Sequence, residues 1–194
     1  MAGELYDAAG NRKYLTAEER QAFIKAADRA PREVRTFCHV LHFSGCRISE
    51  ALALTCDRVD FTNGVIIFES LKKRRTGVYR AVPVPPALLD ALNLVHNIRE
   101  TEARRGRGRK VKLWTWERNT AWRKVKAVMD AAELGEGPQS SPKGLRHGFG
   151  VAAVTTGIPL NMVQKWLGHA QLSTTAIYAD AVGSEEKSIA SRMW

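Results

Sequence analysis

Between Ser141 and Tyr178, four polar side chains are spaced so that they can meet on one phosphate: Lys143, Arg146, His169 and Tyr178. Ser141-Pro142 reads as a helix start, with Ser at the N-cap and Pro at the first helical position, where its missing N–H costs nothing. Lys143 and Arg146, three apart, share a face of the first turn. The open N–H groups and the positive end of the helix dipole point the same way. Two cations at a helix N-terminus make an anion site, most naturally a phosphate site. The opposite stripe, Leu145, Phe149, Ala152 and Ala153, is apolar at helical spacing and is expected to face a core. Gly157 and Pro159 end this helix. The next one, burying Leu160, Val163, Trp166 and Leu167, is expected to stop at Gly168 in the left-handed C′ conformation. That turn projects His169. Ser173 reads as the following N-cap, which puts Tyr178 about one turn into a short helix. Taken alone, Tyr178 reads as a half-buried aromatic.

The string K-x-x-R, then L-G-H, then Tyr nine positions after the His resembles the C-terminal half of the tyrosine recombinase (phage-type integrase) catalytic domain. The signature of that family is H-x-x-R, L-G-H and Y at the same spacing. Upstream, Gly45-Cys46-Arg47-Ile48-Ser49-Glu50 resembles the family's first arginine motif, G-x-R-x-S-E, 99 positions before Arg146. On the residues alone, an arginine between apolar neighbours at a helix start needs a partner, and Glu50 is placed to supply it. The family also carries an essential lysine on a β-hairpin, near the end of its first strand. Counting from Gly64, Lys72 fits that place, with Lys73 as the alternate. The resemblance spans roughly residues 14–194.

It implies DNA strand cleavage by Tyr178, whose oxygen attacks the scissile phosphorus to give a 3′-phosphotyrosyl link and a free 5′-hydroxyl. The residue types suit that chemistry. Arg47 and Arg146 can clamp the non-bridging oxygens with planar forks. A Tyr hydroxyl, with a pKa of about 10, needs help losing its proton. In the resemblance Lys72 is the general acid for the leaving 5′-oxygen, His169 bonds the phosphate and Glu50 supports the site. Bond energy is kept in the covalent intermediate, so no cofactor, neither ATP nor metal, is implied. The implied partners are double-stranded DNA recombination sites and a homotetramer on synapsed DNA, with room for accessory DNA-bending proteins. One residue departs from the pattern: Lys143 stands where most recombinases have His. A lysine still donates to phosphate but is a poorer proton shuttle near neutrality. Type IB topoisomerases resemble this chain there. Two other readings therefore stay open, a topoisomerase and a non-catalytic DNA-binding regulator.

The composition agrees with a polyanionic partner: 30 Lys and Arg against 20 Asp and Glu, a net charge of +10. At 194 residues the chain can build one sizeable core and is short for two full domains. No apolar run approaches the roughly 18–20 residues that span a bilayer, and the N-terminus lacks the layout of a signal peptide, so a cytoplasmic protein off the membrane is expected. Cys38, Cys46 and Cys56 are an odd number and are expected to be reduced. Cys38, His39, His42 and Cys46 lie in an apolar helical run with no second ligand pair, and read as packing residues rather than a metal site.

Several elements must position these groups. Residues 1–14 read as a loosely ordered, flexible arm. Thr16 and Glu19 form a capping box that opens a helix through about Arg29. Pro31 starts another, whose face of Val34, Phe37, Cys38, Leu41 and His42 runs to Gly45. Gly64–Glu69 and Tyr79–Val84 are β-forming runs. They enclose a basic hairpin tip carrying Lys73, Arg74 and Arg75. Pro86 opens a helix through about Asn97. Arg104, Arg105, Arg107 and Arg109 lie in a basic loop expected to contact DNA. Trp114, Trp116 and Trp122 are interleaved with cations, and a core role is favoured over a surface one. Their helix is expected to close at Leu134-Gly135. Ser184 begins a final helix with Ile189, Met193 and Trp194. The resemblance implies a mainly α fold with a small antiparallel β hairpin or sheet (α+β). It divides the chain into the arm at 1–14, a catalytic domain at 15–183 and a tail helix at 184–194 that is exchanged between protomers. Family members usually add an N-terminal DNA-clamping domain. This chain is expected to be like the small single-domain members, such as the fimbrial-switch invertases, or a fragment of a longer protein.

Overall fold

The computed structural model of the chain describes residues 5–70, 77–104, 110–180 and 190–193. Helix α1 (Ala17–Asp28) opens on the expected capping box: Thr16 Oγ1 accepts from the Glu19 N–H at 3.2 Å, and Glu19 Oε2 accepts from the Thr16 N–H at 2.8 Å. Helix α2 (Arg32–Ser44) turns Val34, Phe37, Cys38, Val40 and Leu41 inward and ends at Gly45, φ 61°. A side chain at Gly45 would also strike Phe149, whose Cδ1 would lie 2.5 Å from a Cβ. Helix α3 (Ile48–Leu52) follows at once. It buries Ile48, Glu50 and Ala51.

The sheet has three antiparallel strands, β1 (Val59–Asp60), β2 (Val65–Glu69) and β3 (Tyr79–Pro83), in the order β1-β2-β3. The sequence suggests two of these; β1 is too short to announce itself by alternation. In the register Ile66 faces Val82 and Phe68 faces Arg80, and all four are buried. An arginine therefore occupies an inward position of a strand.

Helix α4 (Pro86–His96) stops at Asn97, φ 50°, and a short α5 (Ile98–Ala103), which the sequence does not announce, follows before the basic loop. Helix α6 (Arg118–Ala131) ends one turn earlier than Leu134-Gly135 suggests, because Glu133 turns left-handed at φ 55°. Helices α7 (Pro142–Thr155), α8 (Leu160–Leu167) and α9 (Ser173–Ala176) lead into a 3₁₀ turn at Ile177–Asp180. Ser173 is the first residue of α9 rather than its cap; Leu172 takes that place and no side chain caps the helix.

The main core joins α1, α2, α4, α6 and the inner face of the sheet around Phe23, Phe37, Phe68, Leu92 and Met129. Each such side chain contributes roughly 1.5–3 kcal/mol on burial. Cys38, Cys46 and Cys56 are buried as free thiols. Trp114 joins this core, donating from Nε1 to the Glu33 carbonyl at 3.0 Å, and Trp116 packs against it. Trp122 departs from the core reading: it is 43% exposed on the outer side of α6. A second cluster gathers Leu5, Tyr14, Val151, Val163, Leu167 and Tyr178. Residues 5–14, expected as a loose arm, thus fold back onto α7. Asp7 caps their turn, accepting from the Asn11 N–H at 2.7 Å, and Arg12 bonds Glu19 Oε1 at 2.7 Å. Leu5 and Tyr14 anchor the two ends of this loop on the second cluster. Of the tail at 184–194, residues 190–193 are described; Ser191–Met193 form a 3₁₀ turn with Met193 exposed. The rest of the tail lies outside the described residues.

Candidate active site

Arg47 occupies the N-cap of α3 in extended conformation. Its N–H donates to Glu50 Oε2 at 2.9 Å and its Nη1 to Glu50 Oε1 at 2.8 Å. Glu50 is therefore the partner the motif calls for. It is also more than that. Its carboxylate is buried, and Arg80 of β3 donates to it from Nη2 at 2.6 Å and from Nη1 at 3.3 Å. Arg80 Nε donates to the Trp166 carbonyl at the end of α8, at 2.6 Å. Burial alone would raise the Glu50 carboxyl, but the bonds from Arg80 and from the Arg47 backbone outweigh it and hold the pKa below its ordinary value. One carboxylate thus fixes two guanidinium groups and leaves the trio with a net positive charge.

Ser141 caps α7 as its sequence suggests, its Oγ accepting from the Gly144 N–H at 3.1 Å. Arg146 does not share an open face with Lys143. Lys143 is exposed, whereas Arg146 is buried between the ends of α2 and α8. Its Nη1 donates to the Gly45 carbonyl at 2.8 Å and its Nη2 to the Leu167 carbonyl at 2.7 Å. These two carbonyls, left open by helix C-termini, fix the plane of the guanidinium. Burial, and then repulsion from Arg47, push the Arg146 pKa down to about 10, so it stays charged at neutrality.

Gly168 takes φ 66° and turns the chain at the end of α8, as expected. His169 follows, with Nδ1 3.0 Å from Thr175 Oγ1 and its ring stacked on Tyr178, centroids 6.2 Å apart and planes at 20°. Burial and the nearby Arg146 and Arg47 push the His169 pKa down to about 3. Tyr178 is 2% exposed. Its ring lies against Gly150 of α7, where a Cβ would sit 2.5 Å from the Tyr178 Cε2. Its hydroxyl is 3.3 Å from His147 Nδ1. Burial raises the Tyr178 pKa, opposed by Arg146 and Arg47.

Arg47, Glu50, Arg146, His169 and Tyr178 therefore come together, from α3, α7, the turn after α8 and the turn after α9. Lys143 stands one helical turn from His147 on the same face of α7, close enough to act on its charge. Arg104, at the exposed end of α5, is engaged by Glu100 at 2.5 Å. Lys72, Lys73, Arg74 and Arg75, and Arg105, Arg107 and Arg109, lie outside the described residues. Among the described residues no cluster of His, Cys, Asp or Glu is arranged to hold a metal ion, and no helix is long and apolar enough to cross a membrane. Sequence reasoning missed Arg80 and His147. The signal for Arg80 was its alternation with Val82 and Val84 in a strand; for His147 it was the i, i+4 spacing from Lys143.

The buried imidazoles have a consequence for stability. His147 and His169 carry pKa values pushed by burial to about 4 and about 3, and His42 is pushed to about 2. Below their ordinary value of 6.5 the unfolded chain takes up these protons before the folded one does, so stability falls as pH falls from 6.5 toward 4. Tm is expected to drop between pH 7 and pH 5 in thermal unfolding. A flat profile would show that the rings are solvated.

The arrangement defines a class: the chain belongs to the phage integrase family, whose profile matches residues 13–184. Among curated relatives, the tyrosine recombinase XerA of Thermococcus onnurineus is 30% identical over 171 residues, which are 86% of this chain and 57% of that protein. The tyrosine recombinase XerD of Mycobacterium tuberculosis is 32% identical over 151 residues, 74% of this chain and 46% of its own. The chain thus spans about half the length of the curated relatives it matches. Of solved structures, the XerA recombinase superposes with a TM-score of 0.75 at 22% identity, covering 93% of this chain and 64% of that one. The catalytic domain of bacteriophage HP1 integrase gives 0.61 at 21% identity, covering 92% and 93%. The mostly helical fold with a small antiparallel sheet is that of tyrosine recombinase catalytic domains.

Proposed function

We propose that the chain is a site-specific recombinase that cuts and rejoins double-stranded DNA through a 3′-phosphotyrosyl intermediate at Tyr178. One observation carries this reading: Arg47, Arg146 and His169, from separate elements, surround a buried tyrosine. Two fixed guanidinium groups offer donors to the non-bridging oxygens, where negative charge grows in the pentacoordinate state. His169 adds a further bond, and the exposed Lys143 reaches the same phosphate from the first turn of α7. Lys72, or Lys73 if the register slips by one, protonates the leaving 5′-oxygen. Lys73, Arg74, Arg75, Arg104, Arg105, Arg107 and Arg109 contact the DNA backbone. Residues 15–183 form the catalytic domain. The tail at 184–194 docks on a neighbouring protomer in a tetramer on synapsed DNA, in the cytoplasm, with accessory DNA-bending proteins where the site requires them.

A duplex with a nick beside the scissile phosphate tests this reading. Its sequence is to be sought by searching the DNA beside the gene for inverted repeats. Cleavage releases the short 5′-hydroxyl strand and traps the protein on DNA. A covalent adduct is the expected result. DNA binding without adduct would favour the non-catalytic regulator that Lys143, in place of His, keeps open. Adduct together with relaxation of supercoiled DNA, but no strand exchange, would favour a topoisomerase.

A further inference from the structure

Resting on Tyr178 as nucleophile, we propose that His147 is the base that takes the proton from the Tyr178 hydroxyl during attack on DNA. The hydroxyl must lose its proton to something within reach. Arg47 and Arg146 are donors only, and a lysine ammonium at 143 has no lone pair. His169 is stacked along the Tyr178 ring, with Nδ1 engaged by Thr175 Oγ1 at 3.0 Å. His147 Nδ1, at 3.3 Å, lies within reach of the oxygen itself. With its proton on Nε2, the imidazole presents a lone pair to the hydroxyl.

Helix α7 builds this geometry from one face. Lys143, His147 and Gly150 fall on successive turns. The lysine stands at the open N-terminus, the imidazole comes one turn later, and the missing Cβ at 150 leaves room for the Tyr178 ring. The charged and titratable groups acting on His147 are Lys143 and Arg146 from α7 and Lys13 from the N-terminal segment; His169 and Tyr178 face it across the site. All three cations disfavour a second proton, and burial adds to this, so the ring is neutral and able to accept at neutral pH. Such an imidazole is a weak base toward a free phenol. Two changes during the reaction remedy that. The entering phosphate brings negative charge beside Lys143 and Arg146, which makes His147 more basic. The forming Oη–P bond also makes the departing proton far more acidic than in free tyrosine.

The step balances. The O–H bond breaks, its proton goes to Nδ1, and its electron pair stays on Oη, which forms the Oη–P bond. The P–O5′ bond breaks with its pair on O5′, which takes a proton from the hairpin lysine. Rejoining runs in reverse, with His147 returning the proton to Oη.

The test is single-turnover adduct formation on the nicked duplex. His147→Ala is expected to bind DNA normally and to cleave on the order of 10²–10³-fold more slowly, the usual worth of a general base. His147→Asn keeps an acceptor near the place of Nδ1 but cannot carry the proton; it should fold and be as slow. Replacing Tyr178 by a more acidic fluorotyrosine should shrink the deficit, and added imidazole should partly restore the Ala variant. A wild-type or faster rate in His147→Ala would overturn the proposal and make the contact a storage position for the tyrosine. A fast Asn variant, or a deficit indifferent to both fluorotyrosine and imidazole, would reduce His147 to a positioning residue. Absence of adduct from the unaltered protein would instead remove the nucleophile reading itself.

Discussion

Tyr178→Phe is expected to abolish covalent adduct while leaving the fold and DNA affinity in place. The substitution removes one oxygen. It keeps the ring against Gly150 and the stack on His169 at 6.2 Å. The structural loss is a single hydrogen bond to His147, worth about 0.5–1.5 kcal/mol net. The chemical loss is total for this route, because no covalent intermediate forms without the nucleophile; removal of such a group elsewhere costs on the order of 10⁶-fold. Denaturing gels of the nicked-duplex reaction read the adduct, and thermal unfolding reads the fold. Adduct formed by the Phe variant would show that another oxygen attacks the phosphate.

The second large effect is expected at Glu50. Its carboxylate side chain is fully buried and holds Arg80, itself 5% exposed, at 2.6 Å. Glu50→Ala leaves a buried guanidinium without its counter-charge, and breaking one side of such a pair costs about 3–5 kcal/mol. A domain of ordinary stability has about 5–15 kcal/mol in all, so the variant should lie close to unfolding at physiological temperature. The double variant Glu50→Leu with Arg80→Leu removes both charges together and should recover most of the stability, as buried pairs replaced by apolar side chains commonly do. It should not recover cleavage, because Arg47 loses both bonds to Glu50. Denaturant unfolding of the single and double variants, with cleavage rates beside it, measures both effects. A Glu50→Ala cost below about 1 kcal/mol would be that of a solvated ion pair. The lowered carboxyl pKa gives the same network a pH signature. Its contribution is present above about pH 4.5, its ordinary value, and is lost as pH falls through the depressed folded value.

What the sequence by itself determined is the part of this protein governed by local physics. The Thr16–Glu19 box, the Ser141 cap with Pro142, the left-handed turns at Gly45 and Gly168, and the helical stripes all follow from interactions within four or five residues. The order and spacing of Arg47, Arg146, His169 and Tyr178 are written there too, as is Glu50 as the partner of Arg47, three positions away. Only the tertiary structure decided what each cation does once placed. Arg146 sits in a first turn that suggests an open phosphate face, yet it is buried by carbonyls 101 and 21 positions away. Arg80 lies in what reads as a plain β-forming run, yet it joins Glu50 and the Trp166 carbonyl, 30 and 86 positions off. His147 meets the Tyr178 hydroxyl 31 positions on. Residues 5–14 look polar and loose until α7 supplies a surface for Leu5 and Tyr14. The physical reason is the same in each case. Periodicity and capping report which face of an element is apolar, whereas a buried charge is tolerated only where distant donors and acceptors converge on it. That convergence belongs to the packed chain and to no segment of it.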